Sequence, residues 1–172
     1  MTCIAAVVHN NSVVMGGDSC VSEDGGTRAM CPSKIFKAGA FMIGYAGSTE
    51  YCTLLQHRLK WPTQVEDLEL YMRVHLPDYM RETCKRIGME MPDGASLIAV
   101  AGTLWAFDDA TADPVVEGYG TIGSGHAIAL GALYATAGRA PRKRVQLALE
   151  AAARHRVDVS APFNFLEQKR GT

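Results

Sequence analysis

Three residues near the start of the chain, Thr2, Asp18 and Lys34, are each separated from the next by sixteen positions. Their types suggest one chemistry. A threonine at the head of a chain carries a hydroxyl and a free α-amine, which together make a nucleophile and its base. Threonine is small enough for an initiator methionine to be removed before it, so Met1 is the switch that would expose the pair. Two glycine-bearing turns, "GYAGST" around Gly47 and Ser48 and "IGSGH" around Ser124, run into helical segments. Backbone N–H groups at such junctions are free to hold an anion. Each residue also has an ordinary structural reading. Asp18 follows Gly16–Gly17 and suits a turn or cap; Lys34 suits a solvated surface. Gly47 would permit a sharp strand-to-helix turn, and Ser124 would cap a helix. Cys3 would be a nucleophile only if Thr2 were also removed. The five histidines (His9, His57, His75, His126, His155) show no metal-ligand spacing, and no metal or cofactor is expected.

These groups need a scaffold, and the composition is that of a globular domain. Of 172 residues, 48% are hydrophobic and 20% charged, with a net charge of −1. That balance carries no excess charge for nucleic acid or a membrane surface, and the length suits one domain spanning 1–172. Five cysteines with no CxxC read as reduced thiols of a cytoplasmic protein rather than a disulfide framework or zinc knuckle. The longest apolar stretch, "ASLIAVAGTLWAF", is shorter than a membrane span.

Thr2 to Val8 and "VVMGGDS" read as a hairpin, because asparagine in "HNNS" tolerates the positive φ of a tight turn. Hairpin geometry then brings Asp18 back beside Thr2. A polar, Gly-rich loop follows ("SEDGGTRAMCPS"), and then a second hairpin from Lys34 to Tyr45 with "KAGA" at its turn. "GSTEYCTLLQHRLKW" reads as a helix capped by Ser48 or Thr49, with Tyr51, Leu55 and Leu59 inward and Pro62 ending it. "QVEDLELYMRVHLPDYMRETCKRIG" reads as a second helix, kinked near Pro77 and closed by Gly88. "ASLIAVAG" and "LWAFDD" form a β pair and "PVVEG" is a further strand candidate. Two helices follow, "AIALGALYATAG" and "PRKRVQLALEAAARHR", the second starting at Pro141. Strands, helices, strands, helices in blocks predict two sheets with helices layered outside, not alternating βαβ units.

"TCIAAV", "GGDS", "SKIFK", "IGYAGST" and "TIGSGHAIALGALYA", in that order, resemble the proteasome β-subunit family of N-terminal nucleophile (Ntn) hydrolases, most closely its bacterial HslV-type branch. The resemblance implies an α+β, four-layer αββα sandwich of two mainly antiparallel sheets. It implies a threonine peptidase in which Thr2 Oγ attacks an amide carbonyl, with the α-amine as base, directly or through a water. Lys34 would place positive charge beside Thr2, Asp18 would orient Lys34, and the Gly47 N–H (alternatively Ser48 N–H) would serve the oxyanion. Ser124 would hydrogen-bond around the amine. Val21, Phe36 and Tyr45 would line an apolar pocket beside Thr2, with Ser48 at the substrate strand. The implied partners are unfolded polypeptide, further copies in a homo-oligomeric ring, and an AAA+ ATPase unfoldase.

One segment departs from the family pattern. Where an Asp and a Ser should support the nucleophile, the chain reads "AAARHRVDVSAPFNF", with Arg154, His155 and Arg156 at the helix end. Asp158 and Ser160 follow at a different spacing, so either they substitute or the support is lost. Two other functions therefore stand beside the peptidase: an Ntn amidohydrolase acting on a small-molecule amide, and an inactive assembly subunit that keeps the fold.

Overall fold

The computed structural model describes residues 2–22, 28–30, 33–108 and 111–169; for 21–22 and 28–30 this means the backbone. The chain begins with strands β1 (Ile4–His9) and β2 (Ser12–Gly17), joined through Asn10 and Asn11 at φ of 47° and 57°. Positive φ at both central residues is the turn whose twist matches a hairpin, and asparagine adopts it at low cost. Two short strands, β3 (Cys20–Ser22) and β4 (Arg28–Met30), pair within the stretch expected to be a plain loop. β5 (Ile35–Ala38) and β6 (Phe41–Gly47) form the second hairpin about Gly39.

Helix α1 (Thr49–Thr53) is capped by Ser48, whose Oγ accepts the Tyr51 N–H at 3.1 Å, and it continues as a π-helical turn over Leu54–Arg58. Tyr51, Leu55 and Leu59 are buried, as the helical spacing predicts. α2 (Leu68–Leu70) leads through a second π-helical turn, Tyr71–His75, into α3 (Leu76–Arg86). The irregularity lies just before Pro77, whose missing N–H cannot continue the ladder of the helical run that passes through His75 and Leu76. Gly88 closes the segment at φ +67°.

β7 (Gly94–Val100) and β8 (Thr103–Asp108) are followed by β9 (Thr111–Pro114) and β10 (Tyr119–Ile122). "PVVEG" is not itself a strand: it is largely the turn between β9 and β10, and Val116 is 89% exposed. α4 (His126–Ala135) and α5 (Pro141–His155) follow, and β11 (Asn164–Lys169) ends the described chain with a strand the sequence reading omits.

The strands form two main sheets, one ordered β10-β1-β2-β11 and the other β5-β6-β7-β8-β9, with antiparallel pairing throughout. Alternation along β1 and β2 explains the layering. Cys3, Ala5, Val7 and Val14 pack with Ala129, Leu133, Val145 and Leu149 of α4 and α5. Ile4, Ala6, Val13 and Met15 face the second sheet at Ile35, Met42, Leu97 and Leu104. The far side of that sheet, with Phe41, Ile43, Ile98 and Phe107, packs on Tyr51, Leu54, Met72 and Met80. The result is an α+β sandwich layered helix, sheet, sheet, helix. Strands buried on both faces read as continuous apolar runs, which is why "CIAAVV" shows no alternation. Among the described residues no helix is long and apolar enough to cross a membrane.

Candidate active site

Asp18 leaves β2 where β1 begins, and its backbone N–H donates to Cys3 O at 3.2 Å. Its carboxylate is fully buried and held at three points. Oδ1 accepts the Cys3 N–H at 2.9 Å and the Lys34 ammonium at 3.0 Å, and Oδ2 accepts the Cys20 N–H at 3.0 Å. Lys34, 4% exposed, also donates to Cys20 O at 2.6 Å. A buried ion pair is tolerated when further hydrogen bonds satisfy its remaining lone pairs and protons, and the backbone of Cys3 and Cys20 does so here. Thr2, Asp18 and Lys34 thus meet as the sixteen-residue spacings predict, with Lys34 set at the start of β5 against the hairpin end.

The other side of Thr2 is built by the turn between β10 and α4. Ser124 Oγ accepts the Thr2 N–H at 3.3 Å and lies 3.2 Å from Thr2 O, which also accepts the Gly125 N–H at 3.3 Å. Gly123, at φ +90°, is required: a Cβ there would stand 2.2 Å from Thr2 O. Thr2 itself is 6% exposed.

Asp158 also stands on this side of Thr2, where its charge is felt at Cys3. It is buried at 4% exposure, and Ser124 is one of the groups that help hold its carboxyl down. Arg156 grips it with two donors, Nε to Oδ1 at 2.9 Å and Nη2 to Oδ2 at 2.8 Å. That fork is the main cause holding the Asp158 carboxyl down at about 2; burial works against it and Ser124 adds to it. Arg156 is extended at the C-cap of α5 and the chain turns at residues 157–158, which brings its guanidinium back to Asp158. An R-x-D step just past a helix end is the local signal that could have identified the pair. Ser160 reaches the neighbourhood through its backbone carbonyl, which accepts the Ser19 N–H at 3.4 Å.

Cys3 is fully buried, and its thiol is pushed up to about 12, first by burial, then by the Asp18 carboxylate, with Lys34 opposing and Asp158 adding. It stays a protonated thiol near neutral pH and makes a poor nucleophile. The same balance shows that the fields of Asp18, Lys34 and Asp158 all reach the residue next to Thr2.

The remaining candidates fall as follows. Gly47 ends β6 opposite Gly94 and is exposed. The Ser48 N–H donates to Asp93 O at 3.1 Å and its side chain caps α1, so both of its groups serve the junction. Phe36 and Tyr45 are half-buried, with ring centroids 6.3 Å apart, on the helix-facing side of the second sheet; the Tyr45 N–H donates to Lys34 O. The side chain of Val21 lies outside the described residues, as does Cys31. No group of three or more metal-ligating side chains occurs among the described residues.

No protein-family model matches the chain, and no curated protein sequence matches it. Solved structures do. BPH from Thiobacillus denitrificans in complex with epoxomicin superposes with a TM-score of 0.82 at 17% identity, covering 99% of this chain and 100% of that one. HslV from Trypanosoma brucei gives 0.71 at 21% identity, covering 96% and 98%. The Gly-1 mutant of Anbu from Hyphomicrobium sp. strain MC1 gives 0.75 at 14% identity, covering 99% and 84%. The chain has the proteasome-like Ntn-hydrolase fold. The resemblance seen in the ordered sequence segments therefore holds at the level of fold. At these identities the proteasome-like fold says where a site would lie, while the chemistry rests on this chain's own residues.

Proposed function

We propose that the chain is an N-terminal threonine peptidase. The observation that carries the reading is the buried Asp18 carboxylate, which ties the backbone beside Thr2 to the Lys34 ammonium. Removal of Met1 frees the Thr2 α-amine, a group with an ordinary pKa of about 7.7–8.0 and hence partly neutral near pH 7. Thr2 Oγ attacks the amide carbonyl while its proton passes to the amine, directly or through a water. The Lys34 charge stabilises alkoxide character at Oγ and opposes protonation of the neighbouring amine. The oxyanion is assigned to the Gly47 N–H, because the Ser48 N–H is engaged by Asp93. Collapse returns the proton to the leaving amine and leaves an ester on Thr2, which water hydrolyses.

The substrate class is unfolded polypeptide, with Val21, Phe36 and Tyr45 favouring apolar side chains on the acyl side of the cut. A homo-oligomeric ring in the cytoplasm, served by an ATPase unfoldase, is the setting the proteasome-like fold suggests. The buried Asp158 carboxylate, gripped by Arg156 and felt at Cys3 beside Thr2, supports turnover over an inactive assembly subunit. Intact mass should show loss of Met1, and a fluorogenic peptide should be hydrolysed. Epoxomicin, which the Thiobacillus denitrificans neighbour binds, should label Thr2, and Thr2→Ala should abolish both signals. Undiminished hydrolysis in Thr2→Ala would remove the reading.

A further inference from the structure

We propose that Tyr51 is a positioning residue which, packed on Gly94, holds the Gly47 N–H at the place where a substrate oxyanion develops. The inference rests on the threonine-peptidase reading and adds a side chain that touches neither substrate nor nucleophile.

The direction of the Gly47 N–H follows from the register of β6. The Tyr45 N–H donates to Lys34 O on one side of the strand, and the Ser48 N–H donates to Asp93 O on the other. Backbone N–H groups alternate in direction along a strand, so Gly47 points its N–H the same way as Tyr45, towards β5 and away from β7. β5 begins only at Ile35, opposite Gly44, and Gly47 lies farther along β6. Its N–H therefore points past the start of β5, on the side where Lys34 enters the site.

The position of that peptide depends on what lies across from it. Gly47 and Gly94 face each other between β6 and β7 as a non-hydrogen-bonded pair, the kind that brings Cα atoms closest and joins the two residues by no ladder bond of their own. A Cβ on Gly47, whose φ is +152°, would stand 2.5 Å from Asp93 O and 2.6 Å from Gly94 Cα. A Cβ on Gly94 would stand 2.3 Å from Cδ1 and 2.4 Å from Cγ of Tyr51. The ring thus occupies the space that a side chain on Gly94 would take. Tyr51 is 1% exposed and is anchored at both ends. Its N–H donates to Ser48 Oγ at 3.1 Å, and its hydroxyl shares a 2.8 Å hydrogen bond with Ser96 Oγ. Ser96 lies on the same face of β7 as Gly94, two positions on. One residue therefore ties the position after Gly47 to the strand opposite, with its ring seated on the glycine between. Without the ring, a void opens beside two glycines, whose backbones are the least restrained of any residue, and the Gly47 peptide is free to shift.

The test uses a peptide aldehyde and the alcohol made by reducing it. Thr2 Oγ adds to the aldehyde carbon, its proton passing through the α-amine to the former carbonyl oxygen. That hemiacetal oxygen sits where the oxyanion of the reaction stands. The alcohol fills the same subsites and has no carbonyl to add to. Wild type, Tyr51→Leu, Tyr51→Phe and Gly94→Ala are compared after circular dichroism has shown that each is folded. Tyr51→Leu should lower kcat on a fluorogenic peptide by about a hundredfold with little change in KM, the loss expected when a reacting group is misplaced. It should weaken the aldehyde by a similar factor while the alcohol binds as before. Tyr51→Phe keeps the ring on Gly94 and should recover most of that loss. Gly94→Ala drives the ring from its seat and should reproduce the Tyr51→Leu pattern; it is the variant to read if Tyr51→Leu does not fold. Aldehyde and alcohol weakened alike, or neither weakened, would mean that Tyr51 only supports the fold, and would overturn this proposal while leaving the peptidase reading in place. A wild type that retains Met1, or that binds the aldehyde no more tightly than the alcohol, forms no adduct at Thr2 and overturns both.

Discussion

At the scale of single residues, the site depends on two buried carboxylates held in different ways. Asp18 accepts from two backbone N–H groups and from Lys34. Asp18→Ala strips acceptors from all three and leaves Lys34, 4% exposed, without its counter-charge. Removing one member of a buried pair costs about 3–5 kcal/mol, and chemical denaturation of Asp18→Ala should show a loss of that order together with lost Thr2 labelling. Asp158 gives a pH signature instead. Its folded value of about 2 lies below the ordinary 3.8, so its contribution to stability is complete above about pH 4 and disappears as pH falls through about 2. Denaturation midpoints of wild type and Asp158→Asn should therefore converge as pH drops across that window. Arg156 is 39% exposed, so solvent screens the pair and the difference should be modest. Thr2, Asp18 and Lys34 were legible in the sequence because strands and a tight hairpin turn linear spacing into distance. Asp158 was legible only as an open alternative beside Ser160, because it stands in a segment after α5 whose path is set by packing rather than by periodicity.

At the scale of elements, the turns carry the precision. Gly123 sits at φ +90°, and a Cβ there would be 2.2 Å from Thr2 O and 2.8 Å from its carbonyl carbon. Neither neighbour is a flexible side chain, so Gly123→Ala must displace the Thr2 backbone or the start of α4. A misplacement near 1 Å at a reacting group can cost about a hundredfold in rate. The expected result is a drop of that order in the epoxomicin labelling rate while circular dichroism stays that of a folded protein; labelling at the wild-type rate would show that the turn absorbs the methyl. The hairpins and the capped start of α1 were readable because Asn10, Asn11, Gly39 and Ser48 supply their local chemistry. β11 was not: "NFLEQK" is only half-buried and weakly patterned, and it becomes a strand by pairing with β2 from Asn164 opposite Gly17 to Lys169 opposite Ser12. β9 and β10 were misplaced for the opposite reason. The β-branched pair Val115–Val116 attracts a strand assignment, yet β9 ends at Pro114 and the chain turns to reach the first sheet.

At the scale of the whole molecule, the two sheets share one core while the site lies at the ends of their strands. Ile4 next to Thr2's neighbour, and Ile35 next to Lys34, are both rooted in that intersheet core, so nucleophile and cation are held by the same packing. On the peptidase reading, selection among polypeptides would come from enclosure by further copies. The surface is compatible with association. Val116, Val157 and Tyr134 are 89%, 80% and 75% exposed, Leu130 is 40% exposed one turn before Tyr134 on α4, and the net charge is only −1. A net charge near zero gives weak resistance to self-association. Sedimentation velocity should accordingly find an assembly many times the 18.5 kDa of one chain, and peptide hydrolysis per chain should fall on dilution into the dissociating range. A chain that stays monomeric at every concentration and still hydrolyses amides would have no chamber. Its site would be open to solvent, and the substrate class would move from unfolded polypeptide to a small-molecule amide while the chemistry at Thr2 stayed the same.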